Sequence, residues 1–124
     1  MNEFYSDPKN AETFTQIVEP TGNRGVSLRT IEKFITGFSK QTNFSYTLND
    51  GKNFPVHVKY KSSLDGYSKK LFDPFARASK IEYTIPATGK KVVTTVAQLN
   101  FLRWAIKNGV VDFIQKNPKI MKSP

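Results

Sequence analysis

The stretch Val96-Ala97-Gln98-Leu99-Asn100-Phe101-Leu102-Arg103-Trp104-Ala105-Ile106-Lys107 limits what this chain can fold into more than any other. At about 100° per residue its apolar side chains spread over more than half of the helical circumference. Only Asn100, Arg103 and Lys107 remain as a narrow polar stripe. A helix so widely apolar is stable in water only when other elements cover it from several sides. Its ends are marked as well: Thr95 at the N-cap with Gln98 three residues on makes a capping box, and Asn108-Gly109 supplies a stop. This helix is the expected centre of the core, and the rest of the chain must pack around it.

The other elements follow from period and punctuation. Ser27 is a candidate N-cap, and Leu28, Ile31, Phe34, Ile35 and Phe38 then line one face of a helix ending near Gly37 to Lys40. Two alternating runs, Phe44/Tyr46/Leu48 and Phe54/Val56/Val58/Tyr60, flank Asn49-Asp50-Gly51, which predicts a β-hairpin. On its second strand, period-2 geometry puts Pro55, His57, Lys59 and Lys61 on the face opposite the aromatics. Leu64 to Phe72 predicts a short helix stopped by Asp73-Pro74. A second hairpin is expected where Ile81/Tyr83/Ile85 turns through Pro86-Ala87-Thr88-Gly89 into Lys90-Lys91-Val92-Val93, and a last helix over Val110 to Lys116 ends before Pro118. The chain of 124 residues is long enough for one core. The expectation is an extended arm or irregular cap over residues 1–26, a single α+β domain over 27–118, and a basic tail over 119–124. In that domain a small antiparallel sheet of two hairpins packs against an N-terminal amphipathic helix and two C-terminal helices.

Charge narrows the function classes. Nineteen Lys and Arg against ten Asp and Glu leave a net charge of +9. Residues 1–51 carry five basic and six acidic side chains, whereas residues 52–124 carry fourteen and four. A polyanion contact would therefore be built in the second part. With no cysteine there is no disulfide framework, thiolate metal site or thiol nucleophile. No run reaches the roughly 20 apolar residues of a membrane span, and the N-terminus lacks a signal-like stretch. A soluble protein of the cytosol or nucleus is expected.

Catalysis would need convergent groups, and His57 is the only imidazole. Asp65, Asp73 and Glu82 are not paired on one element, and Gly22-Asn23-Arg24-Gly25 lacks the Lys and Ser/Thr of a phosphate-binding loop. The chain is expected not to be an enzyme and to hold no metal or cofactor. The basic residues are the better candidates. Lys59, Lys61, Lys69, Lys70, Arg77, Lys80, Lys90 and Lys91 lie on consecutive elements and would form a nucleic-acid-binding surface that neutralises phosphates without reading bases. The stripe Asn100, Arg103 and Lys107 is a candidate for base or partner contact. Against this stands the ordinary fate of lysine, a solvated surface charge. Tyr5, Phe14, Tyr60, Tyr67 and Phe75 could stack on bases, although most aromatics in such a chain fill the core.

Two stretches resemble a known family. Tyr60-Lys61-Ser62-Ser63-Leu64-Asp65-Gly66-Tyr67-Ser68-Lys69-Lys70-Leu71-Phe72-Asp73-Pro74-Phe75-Ala76-Arg77 and Thr94-Thr95-Val96-Ala97-Gln98-Leu99-Asn100-Phe101-Leu102-Arg103-Trp104-Ala105-Ile106 are similar to a small uncharacterised family of large nucleocytoplasmic DNA viruses. In that family an aromatic-Asp-Pro-Phe-x-Arg turn precedes a Thr-Thr-x-x-Gln-Leu-Asn-Phe helix. The resemblance covers roughly residues 55–116 and implies a viral protein, carried in the particle, with no catalytic residues to transfer. The partners expected are nucleic acid, DNA bound without sequence preference, or an acidic protein of a virus particle, with a homo-oligomer of the chain as a further arrangement.

Overall fold

In the computed structural model, which describes residues 2–18, 27–48, 50–75 and 79–117, the widely apolar helix is α7 (Val96–Lys107). Thr95 caps it, its Oγ accepting the Gln98 N–H at 3.1 Å. The Gln98 side chain accepts from the Thr94 hydroxyl at 2.7 Å and donates to the Pro74 carbonyl at 3.3 Å, tying the preceding strand and a distant turn to the helix start. Ala97, Leu99, Phe101, Leu102 and Ala105 are buried. Helical geometry turns Phe101 and Trp104 to one flank and Leu99 and Arg103 to the other. Different parts of the chain cover the two flanks.

On the aromatic flank lies α5 (Val56–Tyr67), followed by the short α6 (Lys69–Phe72). Tyr60 and Phe72 pack on Phe101 and Trp104 with ring centroids 5.7–6.1 Å apart within this cluster. This corrects the sequence expectation of a long second strand through Tyr60. Strand β1 (Ser45–Thr47) does pair with β2 (Asn53–Pro55), Tyr46 opposite Phe54, but the ladder stops at Pro55. Proline has no N–H to extend a ladder and its fixed φ suits a helix entrance. Val56, Tyr60 and Leu64, spaced by four residues, then bury one helical stripe, whereas Val58, needed by the strand pattern, is 63% exposed. Alternation and helical spacing coincide over so few residues, and the covering of α7 decides between them.

On the other flank, residues 2–18, read from the sequence as an extended arm or cap, form α1 (Asn2–Tyr5) and α2 (Pro8–Val18). Tyr5 is fully buried and its hydroxyl donates to the Leu99 carbonyl at 2.8 Å. Phe14 and Tyr83 pack beside it, so the second hairpin, β3 (Ile81–Thr84) with β4 (Lys91–Thr94), sits against these N-terminal helices. The two hairpins are separate two-stranded sheets in a mixed α+β fold.

The helix after Ser27 is α3 (Leu28–Lys33), continued by a π-helical turn (Phe34–Phe38) and α4 (Ser39–Thr42). Phe34, Phe38 and Phe44 join Phe113 of α8 (Val110–Lys116) in a second aromatic cluster that closes the fold.

Ser68 separates α5 from α6 at φ +83° and ψ 154°, a region that essentially only glycine adopts freely. The strain of about 1–3 kcal/mol there exceeds the ~0.5–1 kcal/mol that glycine's extra chain entropy costs. Ser68→Gly should therefore raise unfolding stability by about 1 kcal/mol in urea titration; a loss of stability would mean that the break is held by the serine side chain.

Candidate nucleic-acid interface

Helix α5 turns Val56 and Tyr60 inward and leaves a broad outer face. Lys59 and Lys61, two residues and about 200° apart, stand on opposite edges of that face instead of on one strand surface. On one edge Lys61 lies a turn beyond His57, and Lys40 of α4 approaches the same imidazole. Burial first, then the charges of Lys40 and Lys61, hold the His57 pKa below its ordinary 6.5. On the other edge Lys59 and Lys52 line a cleft of about 270 Å³ with Asn53, Ser62 and Trp104. This cleft meets, at Leu48 and Asn108, a larger one of about 450 Å³ whose charged lining is Lys107, Lys116, Asp50 and Asp112. There Lys116 pairs with Asp112 at 3.1 Å, and the Tyr46 hydroxyl donates to the Asn108 carbonyl at 2.6 Å. Burial, then Asp112, pushes that phenol's pKa up, so it stays a neutral donor.

The remaining candidates divide between walls. Lys69 and Lys70 are exposed on α6, which follows α5 after the break at Ser68. Lys80 and Lys90 are exposed at the ends of the β3–β4 hairpin and Lys91 lies within it, 3.9 Å from Glu82. That hairpin is packed on the N-terminal helices, across α7 from α5. Arg77 lies outside the described residues. In the α7 stripe, the Asn100 amide donates to the Leu71 carbonyl at 2.8 Å, and the Arg103 guanidinium stands 5.9 Å from the Phe4 ring with its Nε buried and without a hydrogen-bond partner among the described residues. Both side chains bind the chain to itself; Lys107 alone of the three is well exposed. Of the aromatics considered for stacking, Tyr5, Phe14 and Tyr60 are core residues, while Tyr67 and Phe75 are 40% and 48% exposed.

The structure thus adds Lys40 and Lys52 to the α5 face, two residues that sequence order had placed with other elements. The signal for them was the four-residue spacing of Val56, Tyr60 and Leu64: a helix beginning at Pro55 brings both of its edges beside the preceding turn and hairpin. A strand there does not.

These features define a small α+β protein with a basic helical face. The chain belongs to a family of unknown function (DUF7197), matched over residues 1–123, in line with the viral family that its two motif stretches resemble. It is 35% identical over 126 residues to "Uncharacterized protein L507" of Acanthamoeba polyphaga mimivirus, covering 96% of this chain and 48% of that protein. The chain therefore spans about half the length of this viral relative. No solved structure matches it. Among the described residues, no helix is long and apolar enough to cross a membrane.

The lowered His57 pKa fixes a sign. The unfolded chain takes up the proton first, so the stability contribution of His57 is full above pH 6.5 and declines as pH falls through the folded-state value. An NMR titration of its ring protons should place the midpoint below 6.5, and Lys61→Gln should move it upward; a midpoint unchanged by that substitution would separate Lys61 from the imidazole.

Proposed function

We propose that the protein binds nucleic acid without catalysis, through phosphate contacts made by the outer face of α5. One observation carries this: Lys40, Lys52, Lys59 and Lys61 gather around one exposed helix, and among the described residues none of the four is in an ion pair. A lysine already paired to a carboxylate would have to break that pair before meeting a phosphate, as Lys91 and Lys116 would. The helix of 12 residues is about 18 Å long, which matches the span of about five phosphates at ~3.4 Å of axis each along one strand. Lys69 and Lys70 extend the positive side along α6. Lysine contacts of this kind neutralise charge and carry no base sequence, so the expected ligand is DNA without sequence preference.

A second reading, a small structural or adaptor protein of a virus particle, is favoured by a different observation. Tyr67, Leu71 and Phe75 are 40%, 45% and 48% exposed, and lie beside Lys69 and Lys70. An acidic, apolar protein surface would suit that combination.

Salt separates the two. For four to six phosphate contacts, the log of the duplex association constant should fall against the log of salt concentration with a slope of about −4 to −5. Lys59→Gln/Lys61→Gln should make the slope shallower by about 2, while Lys90→Gln/Lys91→Gln should leave it nearly unchanged. Fluorescence anisotropy with a mixed-sequence duplex measures all three. A slope near zero, or one unaffected by the α5 pair, would contradict the proposal; tight association with a particle protein that persists at high salt would favour the second reading.

A further inference from the structure

A small cavity of about 70 Å³ opens at the N-terminal end of α5, walled by Ser39, Asn43, Phe44, Pro55, His57 and Val58. It is several times the ~10–15 Å³ that one water requires. Three independent features converge on it. The first is the helix end: α5 runs for 12 residues, Pro55 at its N-cap offers no side-chain hydrogen bond, and no acidic residue occupies its first turn. The Val56 N–H is taken by the Phe44 carbonyl at 3.2 Å. His57 and Val58 follow at positions where a helix supplies no acceptor of its own. Their N–H groups and the positive end of the helix dipole favour an anion there.

The second feature is Ser39. It is completely buried, it forms part of the cavity wall, and its Oγ has no hydrogen-bond partner among the described residues. A serine on an α-helix ordinarily returns its hydroxyl to the carbonyl four residues back. Here the π-helical turn intervenes, with the Ser39 N–H bonded to the Phe34 carbonyl five residues back. A buried hydroxyl left without a partner is destabilising, and π-turns inside helices are frequent at functional sites.

The third feature is the charge around the opening. None of the lining residues is acidic. Lys40 follows Ser39 directly, and Lys61 stands one helical turn beyond His57. Asn43, held at φ +52°, also borders the cavity. The lining residues supply a hydroxyl, a carboxamide, an imidazole and backbone N–H groups, with two ammonium groups nearby and no carboxylate among the lining residues.

We propose that the cavity between Ser39 and the start of α5 is a binding site for one tetrahedral oxyanion, the phosphate group of a phosphorylated ligand. The Ser39 hydroxyl donates to one oxygen and the α5 N–H groups to another. Lys40 and Lys61 neutralise the charge from the rim, and His57 donates once it is protonated beside the bound anion. The site deepens the phosphate-binding role proposed for the α5 face but does not rest on the ligand being a polymer. It is a discrete pocket, where the lysines of the outer face are not.

The test is an amide and imidazole NMR titration of the full chain with inorganic phosphate, against chloride at equal ionic strength. Saturable, phosphate-specific shifts are expected at Ser39, His57 and Val58, with the His57 midpoint moving upward on saturation. Ser39→Ala removes a hydroxyl with no partner among the described residues, so the variant should unfold at the same or a higher urea midpoint while binding phosphate at least tenfold more weakly. A short oligonucleotide with and without a 5′-phosphate assigns the source. At least tenfold preference for the phosphorylated strand identifies a terminal phosphate; equal affinities, both weakened by Ser39→Ala, identify internal phosphodiesters. Shifts no different from those in chloride, or a Ser39→Ala titration that matches the wild type, would overturn the site. If the phosphate shifts occur but duplex binding is absent, the pocket stands and the nucleic-acid proposal fails; salt-sensitive duplex binding without the shifts gives the reverse.

Discussion

Trp104 meets Phe54, Tyr60 and Phe72 at centroid distances of 5.9, 5.9 and 6.1 Å, and the placement of His57, Lys59 and Lys61 on α5 depends on that contact. Aromatic pairs of this kind contribute about 0.5–1.5 kcal/mol each beyond the area that they bury. Together they fix which side of α5 faces inward. With Tyr60 committed to the core, Lys59 falls on one edge of the outer face and His57 and Lys61 on the other. Had α5 been a strand, Tyr60 would still have faced inward, but Lys59 and Lys61 would have shared a surface and Lys40 and Lys52 would have been strangers to it. The same principle acts on the second flank of α7, where the Tyr5 hydroxyl reaches the Leu99 carbonyl and draws two N-terminal helices and the β3–β4 hairpin onto the core.

Much of the fold was legible because several signals agreed locally. The Thr95 cap, the wide apolar face and the Asn108-Gly109 stop all point to α7, which occupies those residues. The Ser27 cap and the spacing of Leu28, Ile31, Phe34 and Ile35 likewise gave the helical segment, although not its π-turn, since that depends on how the Phe34 and Phe38 rings pack against Phe44 and Phe113. The failure at residues 56–61 has a physical cause. Phe54, Val56, Val58 and Tyr60 satisfy alternation over the same short span in which Val56, Tyr60 and Leu64 satisfy a helix, and only the need to cover Phe101 and Trp104 selects the second. Residues 2–18 were obscure for a related reason. The Asp7-Pro8 start of α2 and its buried stripe Ala11, Phe14 and Ile17 are helical in spacing, but where the two helices pack depends on Tyr5 and Phe14, which pair with partners far away in the sequence.

Less of the interface could be read in advance. Charge asymmetry pointed to the second part of the chain, and the α5–α6 lysines lie there. Sequence order alone could not tell that Lys90 and Lys91 belong to a different wall, nor that Asn100 and Arg103 face the chain's own backbone and rings. The cavity beside Ser39 was invisible for a stronger reason, because it joins a π-turn to a helix start across a hairpin. Such a site exists only in three dimensions.

The proposed anion-facing surface is the α5 side of α7, with the β3–β4 hairpin playing no part. Amide hydrogen exchange on the full chain, with and without a mixed-sequence duplex at low salt, tests it most directly. Slowed exchange confined to residues 39–43 and 52–70 is the result expected. Slowed exchange centred on residues 80–91, or no change at any amide, would contradict the account.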